Sequence, residues 1–171
     1  MRWIPNVLSL FRLICAPIAA WLVLSDWALW ALLTVMCAFF TDLLDGWMAR
    51  RYQWETPMGR VLDPLADKAL SFCLFGAFFL RGTLSFSLCA VVLIRDICIG
   101  LGVWWMWHKK GVHYFVPAMI SKINTAVQAM LCVAILAHTA SWVVGALTLV
   151  LWGTTLFSFI IYGHRMWRSW N

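Results

Sequence analysis

The reading of this chain turns on residues 39–69, FFTDLLDGWMARRYQWETPMGRVLDPLADKA. Four aspartates stand in it, Asp42, Asp45, Asp63 and Asp67, in a chain with only seven acidic residues. Asp42 and Asp45 are three positions apart and Asp63 and Asp67 four, so on α-helices each pair occupies one face. The stretch RRYQWETPM (50–58) between them reads as a loop. Two helices joined in this way can lie antiparallel with the pairs facing each other. Asp42 is eight residues from Arg50, roughly 12 Å at the helical rise.

The rest of the chain is an apolar solvent for these charges. Of 171 residues, 64% are hydrophobic and 12% charged, with a mean hydropathy of +0.85, whereas a soluble domain carries about 25% charged residues. Apolar runs near the ~20 residues needed to cross a bilayer recur throughout. The composition predicts an all-α integral membrane protein and argues against a soluble helical one. Thirteen Lys and Arg give a formal charge of +6. They gather at helix ends, which points to topology and anionic lipid and away from nucleic acid. The six cysteines lie in apolar runs without a CxxC pair, as small buried hydrophobes. Trp3, Trp27, Trp107, Trp142, Trp167 and Trp170 fall near expected span ends, where indole rings favour the interface. The N-terminus faintly resembles a signal peptide, but Arg12 interrupts its apolar core and no A-x-A site follows, so a retained first helix is expected.

Six transmembrane helices are predicted, at about 7–25, 27–49, 60–80, 84–107, 117–138 and 141–163, with RWIP (2–5) as a short interfacial segment before the first. The connections near 81–83 and 138–141 are tight hairpins. Both longer loops and both termini then share a side carrying Arg2, Arg50, Arg51, Lys109, Lys110, Arg165 and Arg168, against Arg81 alone on the other. The positive-inside rule puts that basic side, and the aspartates near it, toward the cytoplasm. One domain over 1–171 is expected.

An aspartate at the centre of a bilayer costs roughly 2.5–3.5 kcal/mol on insertion scales, and clustered like charges add to that. Divalent cations remove the difficulty. Carboxylate oxygens without His or Cys suit Mg²⁺, Mn²⁺ or Ca²⁺, and four carboxylates balance two such ions. Two metals sharing carboxylates stabilise both attacking and leaving oxygens in displacement at phosphorus. A polar packing network or a cation pathway would use the same aspartates, so the carboxylates alone leave catalysis and transport both open. Gly46, Ala49 and Gly59 leave helix faces open to a bulky substrate or to close packing. Arg50 suits a diphosphate or a positive-inside anchor.

Written out, the stretch is D-x-x-D-G-x-x-A-R, eight residues, then G-x-x-x-D-x-x-x-D. This resembles the signature of the CDP-alcohol phosphatidyltransferases, with every element at the family's spacing, and IPNVLSLFR (4–12) resembles the start of the family's first helix. The resemblance covers nearly the whole chain. It implies six spans, a CDP-linked lipid donor, two divalent cations (Mg²⁺ or Mn²⁺), release of CMP, and a homodimer. It implies that Asp42, Asp45, Asp63 and Asp67 ligate metal and that Asp67 also serves as general base on the acceptor hydroxyl. It implies CDP-lipid binding by Asp42, Gly46, Ala49, Arg50 and Gly59, with Asn6 and Thr41 as further candidates.

The acceptor must be read elsewhere. Arg95 and Asp96 sit within the fourth span and Lys122 opens the fifth. Intramembrane charges rarely face lipid, so Arg95 and Lys122 are expected to ring an anionic acceptor phosphate, with His113 assisting. An Arg95–Asp96 pair that merely offsets charge is the alternative. LDPLADK, IRD and ISKINTAVQ resemble the CDP-diacylglycerol-dependent cardiolipin synthases. The related phosphatidylglycerophosphate synthases tend to carry a second lysine where this chain has Asn124. A dianionic phosphomonoester asks for more positive charge than a monoanionic phosphodiester, so Asn124 favours phosphatidylglycerol over glycerol-3-phosphate as acceptor. The expected activity is therefore transfer of a phosphatidyl group from CDP-diacylglycerol to phosphatidylglycerol, in a bacterial inner membrane before a mitochondrial one. Phosphatidylglycerophosphate synthesis, a small cation carrier and a catalytically dead lipid-binding relative are the competing readings.

Overall fold

The computed structural model describes residues 4–52, 59–110 and 119–170. Among these it shows six α-helices and no strand: α1 Ile4–Leu24, α2 Ala28–Tyr52, α3 Gly59–Leu80, α4 Phe86–Lys110, α5 Met119–Leu136 and α6 Ser141–Trp170. The protein is an all-α membrane protein. By length and composition Asn6–Leu24, Ala28–Gly46 and Ser141–Tyr162 can each cross a bilayer, and Ser121–Leu136 is a shorter apolar stretch. α3 carries Asp63, Asp67 and Lys68, and α4 carries Arg95 and Asp96.

Boundaries move by a few residues. α1 begins at Ile4 and takes in part of the expected interfacial segment. Pro5 falls in its first turn, where the missing N–H would have no helical partner anyway. α6 continues to Trp170, past the expected end at 163. Three helix ends use a left-handed residue, namely Asp26 (φ 64°), Gly82 (φ 69°) and His138 (φ 50°). At each, the next amide reaches back five residues, Trp27 to Leu22, Thr83 to Phe78 and Thr139 to Ala134, at 2.9–3.1 Å. These bonds satisfy end carbonyls that have no partner within the helix. Ser85 caps α4, its Oγ accepting from the Leu88 amide at 3.4 Å.

The helices fall into two compact units, α1–α3 in the first and α4–α6 in the second. In the first unit α1 packs on both α2 and α3. Ala16, Ala19 and Val23 of α1, and Ala31, Val35 and Ala38 of α2, are fully or almost fully buried. Such small side chains at helical spacing let backbones approach closely. On the same α2, Leu29, Trp30, Leu33, Met36, Phe40 and Leu43 are exposed. Large apolar residues outside and small or polar ones inside is the arrangement a lipid solvent permits. Phe75, Phe78, Leu70 and Leu74 fill the α3 side of this core. The second unit buries Leu88 and Val92 of α4, Leu131 of α5 and Leu151 of α6, and α4 packs against α6.

Candidate active site

The site is assembled around the polar face of α1. Asn6, Ser9 and Arg12 are spaced by three residues, so they share one side of that helix, and all three are buried. Arg12 donates through Nη1 to Oδ1 of Asp42 and through Nη2 to Oδ2 of Asp45. Ser9 donates to Oδ1 of Asp63. Asp45 is buried and lies within electrostatic reach of both Asp42 and Asp63. Asp42 and Asp45 of α2 and Asp63 of α3 are thus joined through α1.

Asp42 is half exposed, whereas Arg12 and Asp45 are almost wholly enclosed. A guanidinium with a rigid fork suits two carboxylates better than a lysine would. It also offsets charge that would otherwise be costly at this depth. Among the described residues no group of three or more His, Cys, Asp or Glu converges so as to hold a metal ion. The donor set still fits a hard divalent ion in its chemistry: every donor is a carboxylate oxygen. Asp42 and Asp45 also already present oxygens to one shared cation, the Arg12 guanidinium.

The remaining expected residues distribute as follows. Asp67 is half-buried on α3, and Thr41 is buried on α2, where its hydroxyl donates to the Ala38 carbonyl at 2.8 Å. Gly46 lies one residue past Asp45, and Gly59 is buried as the first residue of α3. Ala49 and Arg50 belong to the last turns of α2, and their side chains lie outside the described part. His113 lies outside the described residues.

In the second unit Arg95 is 1% exposed. It donates to Asp96 at 2.6 Å, to Ser121 at 2.9 Å, and to Ser158 from Nε at 3.1 Å and Nη2 at 2.8 Å. The pairing of Arg95 with Asp96 is therefore present, but it is one strand of a wider net across α4, α5 and α6. Asn124 is fully buried, and its Oδ1 accepts from Thr154 at 2.8 Å and Thr155 at 2.9 Å. Lys122 is exposed, so the structure does not bring it into the same enclosed setting as Arg95.

Sequence reasoning missed Arg12 as a site residue. The signal was available: a lone arginine inside an otherwise apolar membrane helix is costly unless it faces a partner. Ser9, Ser121 and Ser158 gave no comparable signal, because small hydroxyl residues are ordinary in membrane helices.

The sequence profile of the CDP-alcohol phosphatidyltransferases matches residues 2–160. The chain belongs to this family. Among curated proteins it is similar to a cardiolipin synthase (CMP-forming)/mitochondrial hydrolase fusion protein of Schizosaccharomyces pombe, 35% identical over 75% of this chain and 24% of that protein. It is similar to the chloroplastic CDP-diacylglycerol–glycerol-3-phosphate 3-phosphatidyltransferase 1 of Oryza sativa, 32% identical over 78% of this chain and 46% of the relative. It is also similar to the cardiolipin synthase (CMP-forming) of Homo sapiens, 33% identical over 78% and 50%. The chain thus spans about half the length of the rice and human proteins and a quarter of the yeast one.

Proposed function

We propose that this chain transfers a phosphatidyl group from CDP-diacylglycerol to phosphatidylglycerol, giving cardiolipin and CMP. The observation that carries the reading is the gathering of Asp42, Asp45 and Asp63, from two helices, around the buried face of α1. The full D-x-x-D-G-x-x-A-R…G-x-x-x-D-x-x-x-D set accompanies it.

In this reading Asp42, Asp45, Asp63 and Asp67 hold two divalent cations, Mg²⁺ or Mn²⁺. When bound, these ions offset the charge of the diphosphate and of the leaving nucleotide. Gly46, Ala49, Arg50 and Gly59 form the CDP-lipid site, with Asn6 and Thr41 beside them. The glycines supply room close to the backbone, and Arg50 pairs with phosphate oxygens. Asp67 takes the proton from the acceptor hydroxyl, a poor nucleophile at neutral pH without a nearby base. The freed oxygen attacks the phosphorus that bears the diacylglycerol, the bond from that phosphorus to CMP breaks, and CMP leaves with the electron pair.

Arg95 anchors the acceptor phosphate from α4, with Lys122, Asn124 and His113 as further acceptor contacts. Support for a lipid acceptor comes from Asn124. It is a neutral amide engaged with two threonines where a second cation would suit a phosphomonoester. The relatives include enzymes of both names, so glycerol-3-phosphate is the competing acceptor. The reading also takes 1–171 as one catalytic domain, working as a homodimer. Both termini and the site face the cytoplasm of a bacterial inner membrane, as the basic loops favour. CMP release against a panel of acceptors tests the assignment. Release with phosphatidylglycerol supports it, and release only with glycerol-3-phosphate transfers it to phosphatidylglycerophosphate synthesis.

A further inference from the structure

The second unit holds buried polar groups whose hydrogen-bonding capacity is not met among the described residues. In α5, Ser121, Asn124 and Gln128 are spaced by three and four residues and so share one face. Asn124 is fully buried and Gln128 is 2% exposed. Among the described residues, Nδ2 of Asn124 and both Nε2 and Oε1 of Gln128 are buried without a hydrogen-bond partner. Asn124 has spent its acceptor oxygen on Thr154 and Thr155, so what it still offers is an N–H donor. Two unsatisfied amide groups one turn apart within an apolar helix are costly in lipid. Their two N–H groups call for a bound group that accepts hydrogen bonds, whereas Oε1 of Gln128 takes only a donor.

The lane also has a direction. It begins at Ser121, which Arg95 holds together with Ser158. Asn124 and Gln128 then lie roughly 5 and 10 Å further along the α5 axis, at the usual helical rise. A phospholipid has the same order. Its phosphate is followed within a few covalent bonds by two ester carbonyls, which accept hydrogen bonds and donate none. Glycerol-3-phosphate has no group that extends past its glycerol. We propose that Asn124 and Gln128 form a subsite for the ester carbonyls of a diacyl phospholipid, the acceptor, whose phosphate sits at Arg95. The subsite rests on the reading of this chain as a transferase with a lipid acceptor. It adds a device by which a diacyl acceptor is told from a water-soluble one.

Ester carbonyls occur in the CDP-linked donor too, so the test separates the two sources. The full chain, reconstituted in mixed micelles, is given dioleoyl phosphatidylglycerol or its dialkyl ether counterpart as acceptor, with a diacyl CDP donor. A second arm holds the diacyl acceptor fixed and swaps the donor for its ether form. Wild type is expected to show KM for the ether acceptor about three- to tenfold above that for the ester, the effect of losing about one hydrogen bond. Gln128→Met and Asn124→Asp remove the free donors; the latter keeps the oxygen that Thr154 and Thr155 reach. Both are expected to bring the ester and ether KM values together, with the wild-type response in the donor arm unchanged.

Equal KM for ester and ether acceptors in wild type overturns the proposal without recourse to any variant. An ester preference that Gln128→Met and Asn124→Asp leave intact also overturns it and makes the amides a packing feature. Loss of preference in the donor arm alone overturns the assignment to the acceptor. These failures are distinct from failure of the underlying reading, in which wild type releases no CMP with either phosphatidylglycerol, and the subsite falls with it.

Discussion

Arg12 of α1 donates through Nη2 to Asp45 of α2, and both side chains are almost completely enclosed. The same guanidinium holds Asp42 through Nη1. Removing one partner of a buried pair leaves a charge without compensation, which typically costs about 3–5 kcal/mol. Arg12→Gln is therefore expected to lower unfolding stability in detergent by about that amount, and Asp45→Asn to do so as well. The double variant should lose clearly less than the sum, because each change removes the charge the other strands. Additive losses would mean the two side chains do not interact.

Asp67 carries the proposed proton transfer. Asp67→Asn keeps the size of the side chain and removes its basicity. Transfer should collapse, by 10²-fold or more given the typical contribution of a general base, while binding of CDP-diacylglycerol largely survives. Equal loss of binding and turnover would recast Asp67 as chiefly a metal ligand.

Ser158 accepts from both Nε and Nη2 of Arg95. Ser158→Ala leaves buried donors of a cation without that acceptor, which is expected to destabilise by about 1–3 kcal/mol. It should also raise the acceptor KM, because the guanidinium loses the contact that orients it. An unchanged KM with a lowered melting temperature would assign Arg95 to structure alone.

Arg81 pairs with Asp26 and donates to the Val23 carbonyl at 2.8 Å, tying the α1–α2 turn to the end of α3. Asp26 is largely exposed, so the ion pair contributes no more than about 1 kcal/mol. Asp26 also holds φ at 64°, a conformation glycine adopts freely. Asp26→Gly should therefore be nearly neutral in a melting experiment, and Arg81→Ala mildly destabilising, both with full transfer activity. A large loss from Asp26→Gly would place more weight on this pair than its exposure allows.

The helices were legible because their signals are local. Apolar runs, the turn near 81–83 and the short connection near 138–141 each declare themselves within a few residues. The aspartate spacing was legible for the same reason, since three and four residues fix a shared helix face. What the sequence did not disclose were partners far apart in the chain. Arg12 meets Asp42 and Asp45 thirty or so positions later, and Arg95 meets Ser158 sixty-three positions later. Spacing puts each aspartate pair on one face of its helix, but the bridging of Asp42, Asp45 and Asp63 by Ser9 and Arg12 depends on α1 packing against both α2 and α3. Lys122 illustrates the converse. A lysine near the start of a span reads as an inward charge, yet the side chain is exposed, as a long cationic stem at a helix end permits.

Metal-dependent transfer to phosphatidylglycerol is best tested by CMP release by the purified full chain from CDP-diacylglycerol, with phosphatidylglycerol or glycerol-3-phosphate as acceptor, each with and without EDTA. CMP and cardiolipin are expected with phosphatidylglycerol, abolished by EDTA and restored by excess Mg²⁺ or Mn²⁺. CMP release with glycerol-3-phosphate alone, or turnover indifferent to EDTA, would contradict it.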